Sequence, residues 1–219
     1  MLSIKGLSAA SCTIRMSIYA AINANTSGIS GLGDSHAWIV IENMGANTIT
    51  IGTQSLSSGQ SCTMGLFGNE TPKGIWYNRE AQDRNKGTYQ DNSNIVYYQK
   101  IISGSSVISN IETVMNNNNY WGILHNCAHF AVKIFNSVGG STISTSANPA
   151  ELRSRIMSKS DYGTGTYDDD YRYSLTTEKW YSVGAVTTEG TDEEILSGKI
   201  IDGDRIILIK DEELIFLDE

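Results

Sequence analysis

The clearest hydrophobic pattern in the chain is a strict alternation between residues 12 and 20. Apolar residues or cysteine occupy the even positions, and Thr, Arg, Ser and Tyr occupy the odd ones. A period of two predicts a strand with one buried face. Cys12 lies on the apolar side, so its thiol is expected to pack in the core.

Two further strands are predicted at 36–42 and 48–54, on either side of a turn that contains Gly45. The pair is interpreted as an antiparallel hairpin. If the turn centres on Gly45, the pairing places His36 opposite Gln54. A shift of one residue would reverse which side chains face the core.

The segment 55–94 is polar, with scattered aromatic and turn-forming residues, and it indicates an irregular excursion. Apolar runs after it predict strands at 95–102, 206–210 and 214–217. The chain therefore has strands near both of its ends.

Between these strands the apolar spacing becomes helical. The clearest helix is 126–138, because Asn126 is a preferred N-cap residue and two glycines follow Val138. Its apolar stripe consists of Phe130, Ala131, Ile134, Phe135 and Val138. Helices are also predicted at 107–115 and from Pro149 to about residue 158. This order of elements predicts an α+β fold, with an antiparallel sheet packed against helices.

The length of 219 residues predicts a single domain over 1–219, with a catalytic core at about 10–158 and a C-terminal extension at 159–219 of unknown role. The net charge of −8 argues against nucleic acid and anionic lipid as partners. No apolar run approaches the ~20 residues that span a bilayer. No clear signal peptide is recognised, so synthesis in the cytoplasm is expected.

The chain has three cysteines, which is too few for a disulfide scaffold and allows at most one bridge, Cys12 to Cys62. A metal site formed by His125, Cys127 and His129 would require that segment to be a strand, and its helical stripe disfavours this. No metal and no cofactor are expected.

Cys127 is the candidate nucleophile, because it follows the inferred cap Asn126 and lies in the first turn of a helix. Unpaired backbone N–H groups and the helix dipole favour an anion there, which promotes the reactive thiolate. The same N–H groups can stabilise the oxyanion of a tetrahedral intermediate.

A thiolate nucleophile needs an imidazole partner, and the chain has three histidines. His125 and His129 each lie two residues from Cys127, and such positions point about 200° apart on a helix. His36, at the start of a strand, is therefore the candidate general base, and Gln54 is the candidate that orients its ring. Three other residues compete for the orienting role: Glu42, Thr50 and Thr53.

Two motifs carry a family resemblance: His-Ala-Trp-Ile at 36–39 and His-Asn-Cys-Ala-His-Phe at 125–130. Together they resemble the permuted NlpC/P60 (papain-like) cysteine hydrolases, in which a strand histidine precedes the cysteine. The second motif is also similar to the Asn-Cys-Glu-His-Phe box of lecithin:retinol acyltransferase-like proteins, although Ala128 replaces the glutamate. The pattern looks more like the type VI secretion effectors of this fold.

The resemblance implies a circularly permuted papain-like fold and hydrolysis of amide bonds in peptidoglycan stem peptides. It further implies a secreted antibacterial effector that a secretion-system carrier delivers to the periplasm of a target cell, with an immunity protein as a second partner. Two alternatives stay open. One is thiol-dependent acyl transfer or deamidation on a lipid or protein, and the other is a non-catalytic binding module in which Cys127 only packs.

Overall fold

The computed structural model describes residues 11–22, 35–68, 70–80, 95–122 and 124–165, together with short strands at 179–180, 199–202, 205–210 and 213–217. The chain divides into two compact units, Met1–Ser182 and Val183–Glu219. The first unit carries all the residues that the sequence nominates for chemistry.

The first unit is built on a seven-stranded sheet in which every neighbouring pair is antiparallel. Its order is β8-β7-β1-β2-β5-β6-β9, and β3 and β4 form a separate hairpin. The strands are β1 (Cys12–Ala21), β2 (His36–Asn43), β3 (Ile49–Ile51), β4 (Gln54–Leu56), β5 (Ser61–Phe67), β6 (Gly74–Tyr77), β7 (Ile95–Gly104), β8 (Gly163–Thr164) and β9 (Lys179–Trp180).

Three helices are described in this unit: α1 (Val107–Asn117), α2 (Cys127–Asn136) and α3 (Pro149–Met157). As predicted, Asn126 caps α2, and Pro149 opens α3 behind the cap Asn148. Helix α2 packs mainly on β2, and α3 packs on β1 and β7. Helices packed on an antiparallel sheet confirm the α+β prediction.

The core lies between the sheet and these helices. The alternation in β1 buries Ile14, Met16 and Ile18 completely, and Phe130 and Ile134 of α2 are equally buried. The other face of the sheet is also covered in part, since the rings of Tyr19 and Trp38 stack there with centroids 5.2 Å apart. Cys12, the first residue of β1, is only half-buried and donates from its thiol to the Gly104 carbonyl oxygen at 3.5 Å.

The predicted hairpin between 36–42 and 48–54 is wrong. Strand β2 pairs with β1 and β5, which places His36 opposite Ala21, whereas Gln54 lies opposite Ile51 in the β3–β4 hairpin. The cause is the two-residue turn at Gly52, whose φ of 56° suits a tight hairpin turn. The segment predicted as irregular, 55–94, contains β5 and β6.

The second unit contains an antiparallel meander of β10 (Lys199–Asp202), β11 (Arg205–Lys210) and β12 (Glu213–Leu217). The two strands predicted in this region are therefore confirmed. None of the helices in the described part of the chain has the length and apolar character needed to cross a bilayer.

Candidate active site

Cys127 is the first residue of α2, and Asn126 organises the backbone around it. Asn126 has an extended backbone, and its Oδ1 accepts hydrogen bonds from the N–H groups of Ala128 at 3.0 Å and His129 at 3.2 Å. Its Nδ2 donates to the Ala147 carbonyl oxygen at 2.6 Å. The side chain thus acts as the predicted N-cap and also ties the start of α2 to the segment before α3.

His36 meets Cys127 because β2 packs against α2, and the imidazole and the thiol lie close enough for each to shift the other's pKa. Burial raises the pKa of Cys127, but the His36 charge and the N–H groups of Ala37 and Ala128 outweigh burial and lower it below 9.0. Burial lowers the pKa of His36, but Cys127 and Glu80 outweigh this and raise it to about 10. Each group therefore favours the charged form of the other, which promotes a thiolate–imidazolium pair.

Glu80 is the residue that holds the other side of the His36 ring. Its Oε1 lies 2.9 Å from His36 Nε2, and its Oε2 accepts a hydrogen bond from Thr63 Oγ1 at 2.6 Å. The Glu80 side chain is completely buried, and that of His36 is 12% exposed. Because Nε2 is engaged by Glu80, Nδ1 is the ring nitrogen available to the Cys127 thiol.

The contact between the His36 and Glu80 side chains occupies the space that a side chain at Gly65 would fill. A Cβ added at Gly65 would lie 1.8 Å from Glu80 Oε1 and 2.9 Å from both His36 Nε2 and the Phe67 ring. Trp38 stacks near the imidazole with centroids 5.8 Å apart, and the Phe67 ring lies 4.6 Å from it. The ring is therefore held by aromatic neighbours as well as by its hydrogen bonds.

Gln54, the predicted orienting residue, does not hydrogen-bond His36 in the structure. Its Oε1 accepts from Asn78 Nδ2 at 3.3 Å, and its Nε2 donates to Thr53 Oγ1 at 3.2 Å. The prediction rested on the β2–β3 pairing that does not form. Of the three competing residues, Glu42 lies at the far end of β2, where it pairs with Arg15 at 2.7 Å.

His125 of the cysteine motif makes its side-chain contacts with residues other than Cys127 and His36. His125 Nδ1 lies 2.8 Å from the Tyr120 carbonyl oxygen, and its Nε2 lies 3.0 Å from Asn118 Oδ1, which also accepts from Lys133. Burial and the neighbouring cations lower the pKa of His125 to about 4, so its ring is neutral near pH 7.

The metal-binding alternative needed residues 125–129 to be a strand, and Cys127–Asn136 is a helix instead. The residues that the structure describes hold no group of three or more His, Cys, Asp or Glu placed to bind a metal. The bridge between Cys12 and Cys62 is absent, since both thiols are free. Cys62 is completely buried in β5, and burial together with Glu80 raises its pKa to about 12.

Glu80 and Gly65 are the site residues that sequence reasoning missed. Both lie in the segment read as irregular, and Glu80 is 44 residues from His36. One sequence signal lies near them: the short apolar run Gly74–Tyr77, which forms strand β6 and ends three residues before Glu80. Nothing in the local sequence indicates which carboxylate reaches the imidazole.

Comparisons of the chain with protein-family models, curated proteins and solved structures found no match. The chemistry of the site must therefore be argued from its own geometry. A thiol at a helix N-terminus, an imidazole beside it and a buried carboxylate behind the ring are groups that can serve as a nucleophile, a proton carrier and an orienting group. Such a set can attack a carbonyl carbon and protonate a leaving group.

Proposed function

We propose that the protein is a cysteine hydrolase that cleaves amide bonds and has a circularly permuted papain-like fold. The observation that carries the proposal is the close pair of Cys127 and His36, with Glu80 Oε1 2.9 Å from His36 Nε2. The three residues come from β2, the segment after β6 and the start of α2, and the glycine at position 65 and the Phe67 ring lie against the contact between His36 and Glu80. A cysteine that only packs in a core does not need such surroundings.

In the proposed reaction the Cys127 thiolate attacks the amide carbonyl carbon and forms a C–S bond. The carbonyl π electrons move to oxygen and then return as the C–N bond breaks. His36 donates its Nδ1 proton to the leaving amine, and an acyl-thioester remains on Cys127. Neutral His36 next takes a proton from water, whose oxygen attacks the thioester, and this releases the acid and restores the ion pair.

The backbone N–H of Cys127 is the proposed donor to the oxyanion. The next three N–H groups along α2 already have partners. Those of Ala128 and His129 donate to Asn126 Oδ1, and that of Phe130 donates to the Asn126 carbonyl oxygen at 3.0 Å. The cap therefore leaves the first N–H of the helix for the reaction, directly beside the nucleophile.

The substrate class and biological setting follow from the resemblance of the two motifs. We propose that the amide lies in a peptidoglycan stem peptide, and that the protein is an antibacterial effector carried by a secretion system to the periplasm of a target cell. An immunity protein in the producing cell is the matching partner.

The test incubates the purified full-length protein with peptidoglycan and measures new amine ends by mass spectrometry of the released fragments. Cys127→Ala should abolish the release. Cys12→Ala is the matched control, because Cys12 is a free thiol in the same sheet unit, and it should retain the activity.

Each other outcome contradicts a specific part of the proposal. Release that survives Cys127→Ala rules out Cys127 as the nucleophile. Absence of wall cleavage together with an acyl adduct on Cys127 favours acyl transfer, and conversion of protein amides to acids favours deamidation. A Cys127 thiol that is inert to iodoacetamide at neutral pH favours a binding module.

A further inference from the structure

Asn78 lies at the bend between β6 and Glu80, and its conformation positions Glu80 at the site. It directly follows β6, is completely buried, and has a φ of 61°, a left-handed conformation that asparagine tolerates better than most residues. The chain bends here, and two residues later the Glu80 carboxylate lies in the space beside Gly65. The conformation of one buried residue thus decides where the carboxylate arrives.

Thr63 of β5 forms hydrogen bonds with both Asn78 and Glu80. The Asn78 N–H donates to the Thr63 carbonyl oxygen at 3.1 Å, and the Thr63 N–H donates to Asn78 Oδ1 at 3.2 Å. The Thr63 hydroxyl then donates to Glu80 Oε2 at 2.6 Å. One strand residue therefore holds the backbone of Asn78, its side chain and the carboxylate.

Gln54 completes the chain of contacts from the β3–β4 hairpin. It is almost completely buried, and its Oε1 accepts the hydrogen bond from Asn78 Nδ2. This contact directs the Asn78 amide nitrogen toward Gln54, so that Oδ1 faces Thr63. One hydrogen bond links Gln54 to Asn78, and another contact links Glu80 to His36. The two residues of backbone from Asn78 to Glu80 join these two contacts.

We propose that Gln54 and Asn78 are positioning residues that set the Glu80 carboxylate against His36, and through it maintain the reactive form of Cys127. This inference rests on the proposed function only in that it assumes the thiol–imidazole pair. The Gln54 side chain then acts at a distance, through Asn78 and not on the imidazole itself.

The test measures the pH dependence of iodoacetamide alkylation at Cys127 in the full chain, followed by mass spectrometry of the Cys127 peptide. Asn78→Gly keeps the left-handed backbone accessible but removes the amide, and Gln54→Leu keeps the volume of Gln54 but removes its acceptor. Each should raise the alkylation midpoint by about one pH unit, which means about tenfold slower reaction below the midpoint. Gln54→Glu retains an acceptor for Asn78 Nδ2 and should restore most of the wild-type profile.

Asn43→Ala is the matched control for loss of a buried amide. Asn43 is completely buried and makes three side-chain hydrogen bonds, but it lies at the opposite end of β2 from His36. It should lower thermal stability and leave the alkylation midpoint unchanged. The comparison distinguishes a variant that only loses thermal stability from one that also changes the pKa of the Cys127 thiol.

The two ways of being wrong give different results. A low wild-type midpoint that is the same in Gln54→Leu, Asn78→Gly and Asn43→Ala overturns the positioning role and leaves the thiol–imidazole pair intact. A wild-type midpoint near that of an ordinary thiol overturns the pair and the positioning role together. Because the readout needs no substrate, failure to cleave peptidoglycan affects neither conclusion.

Discussion

Gly65→Ala is predicted to separate Glu80 from His36, because the new Cβ would lie too close to both side chains. The new Cβ would lie 1.8 Å from Glu80 Oε1, and such contacts essentially never fall below 3.0 Å, so the carboxylate must move by at least 1.2 Å. Motion away from the glycine stretches the contact with Nε2 from 2.9 Å toward about 4 Å, beyond hydrogen-bonding range.

The magnitude follows from the kind of contact that is lost. A hydrogen bond to a charged group contributes about 1.5–3 kcal/mol. If that energy orients His36 and stabilises its charge, amide hydrolysis should slow roughly 10- to 150-fold. The pKa of Cys127 should rise at the same time, because the imidazolium that stabilises the thiolate loses its carboxylate.

The assay compares alkylation midpoints of Cys127, and kcat/KM on the cleaved substrate, with those of Gly104→Ala. Gly104 ends β7 of the same sheet, and a Cβ there meets its nearest atom, on Val107, at an ordinary 3.5 Å. Overpacking at Gly65 costs about 1–3 kcal/mol of stability, so melting temperatures are recorded. If Gly65→Ala does not fold, Glu80→Gln removes the charge without the clash. The reasoning is refuted if Gly65→Ala and Glu80→Gln both give the same alkylation midpoint and kcat/KM as Gly104→Ala.

Three further predictions concern the thiols, the cap and a buried lysine. The lowered pKa of Cys127 should make its thiol react with iodoacetamide at pH 7 and lose reactivity as the pH falls through that pKa. Burial raises the pKa of Cys12, so the Cys12 thiol should react only above pH 9. Amide hydrolysis should decline above about pH 10, where His36 loses its proton. Asn126→Ala and Asn148→Ala should each cost about 0.5–2 kcal/mol of unfolding free energy by denaturant titration, but only the first should slow Cys127 alkylation. Lys100→Met should lower the unfolding free energy by about 1–3 kcal/mol, because two carbonyls beyond the end of α2 lose their donor; an unchanged denaturation midpoint would contradict this.

The proximity of Cys127 and His36 could be predicted because the signals for each residue are local. The cap at Asn126 and the apolar stripe after it define α2, and the helix start identifies Cys127. His36 was then selected by elimination among three histidines and by the resemblance of its strand motif. These steps required no knowledge of long-range pairing.

The orienting group could not be found in this way, because it depends on pairing between distant segments. Strand β5 is buried along its whole length between β2 and β6, yet its sequence contains Ser, Cys, Thr and Gly, so it lacks the alternation of a half-exposed strand. The turn was placed at Gly45, whereas Gly52 has the positive φ. The predicted pairing puts Gln54 opposite His36, whereas in the structure the carboxylate of Glu80 holds the His36 ring.

The reactive pair also has a consequence for the chain during its synthesis. His36 emerges from the ribosome 91 residues before Cys127, and Glu80 emerges between them. Until β2 and β5 have paired and α2 has docked on them, Cys127 is an ordinary thiol with no imidazole beside it. Reactivity at neutral pH is therefore expected only after this part of the sheet has formed, and alkylation at Cys127 would report that α2 has docked on β2.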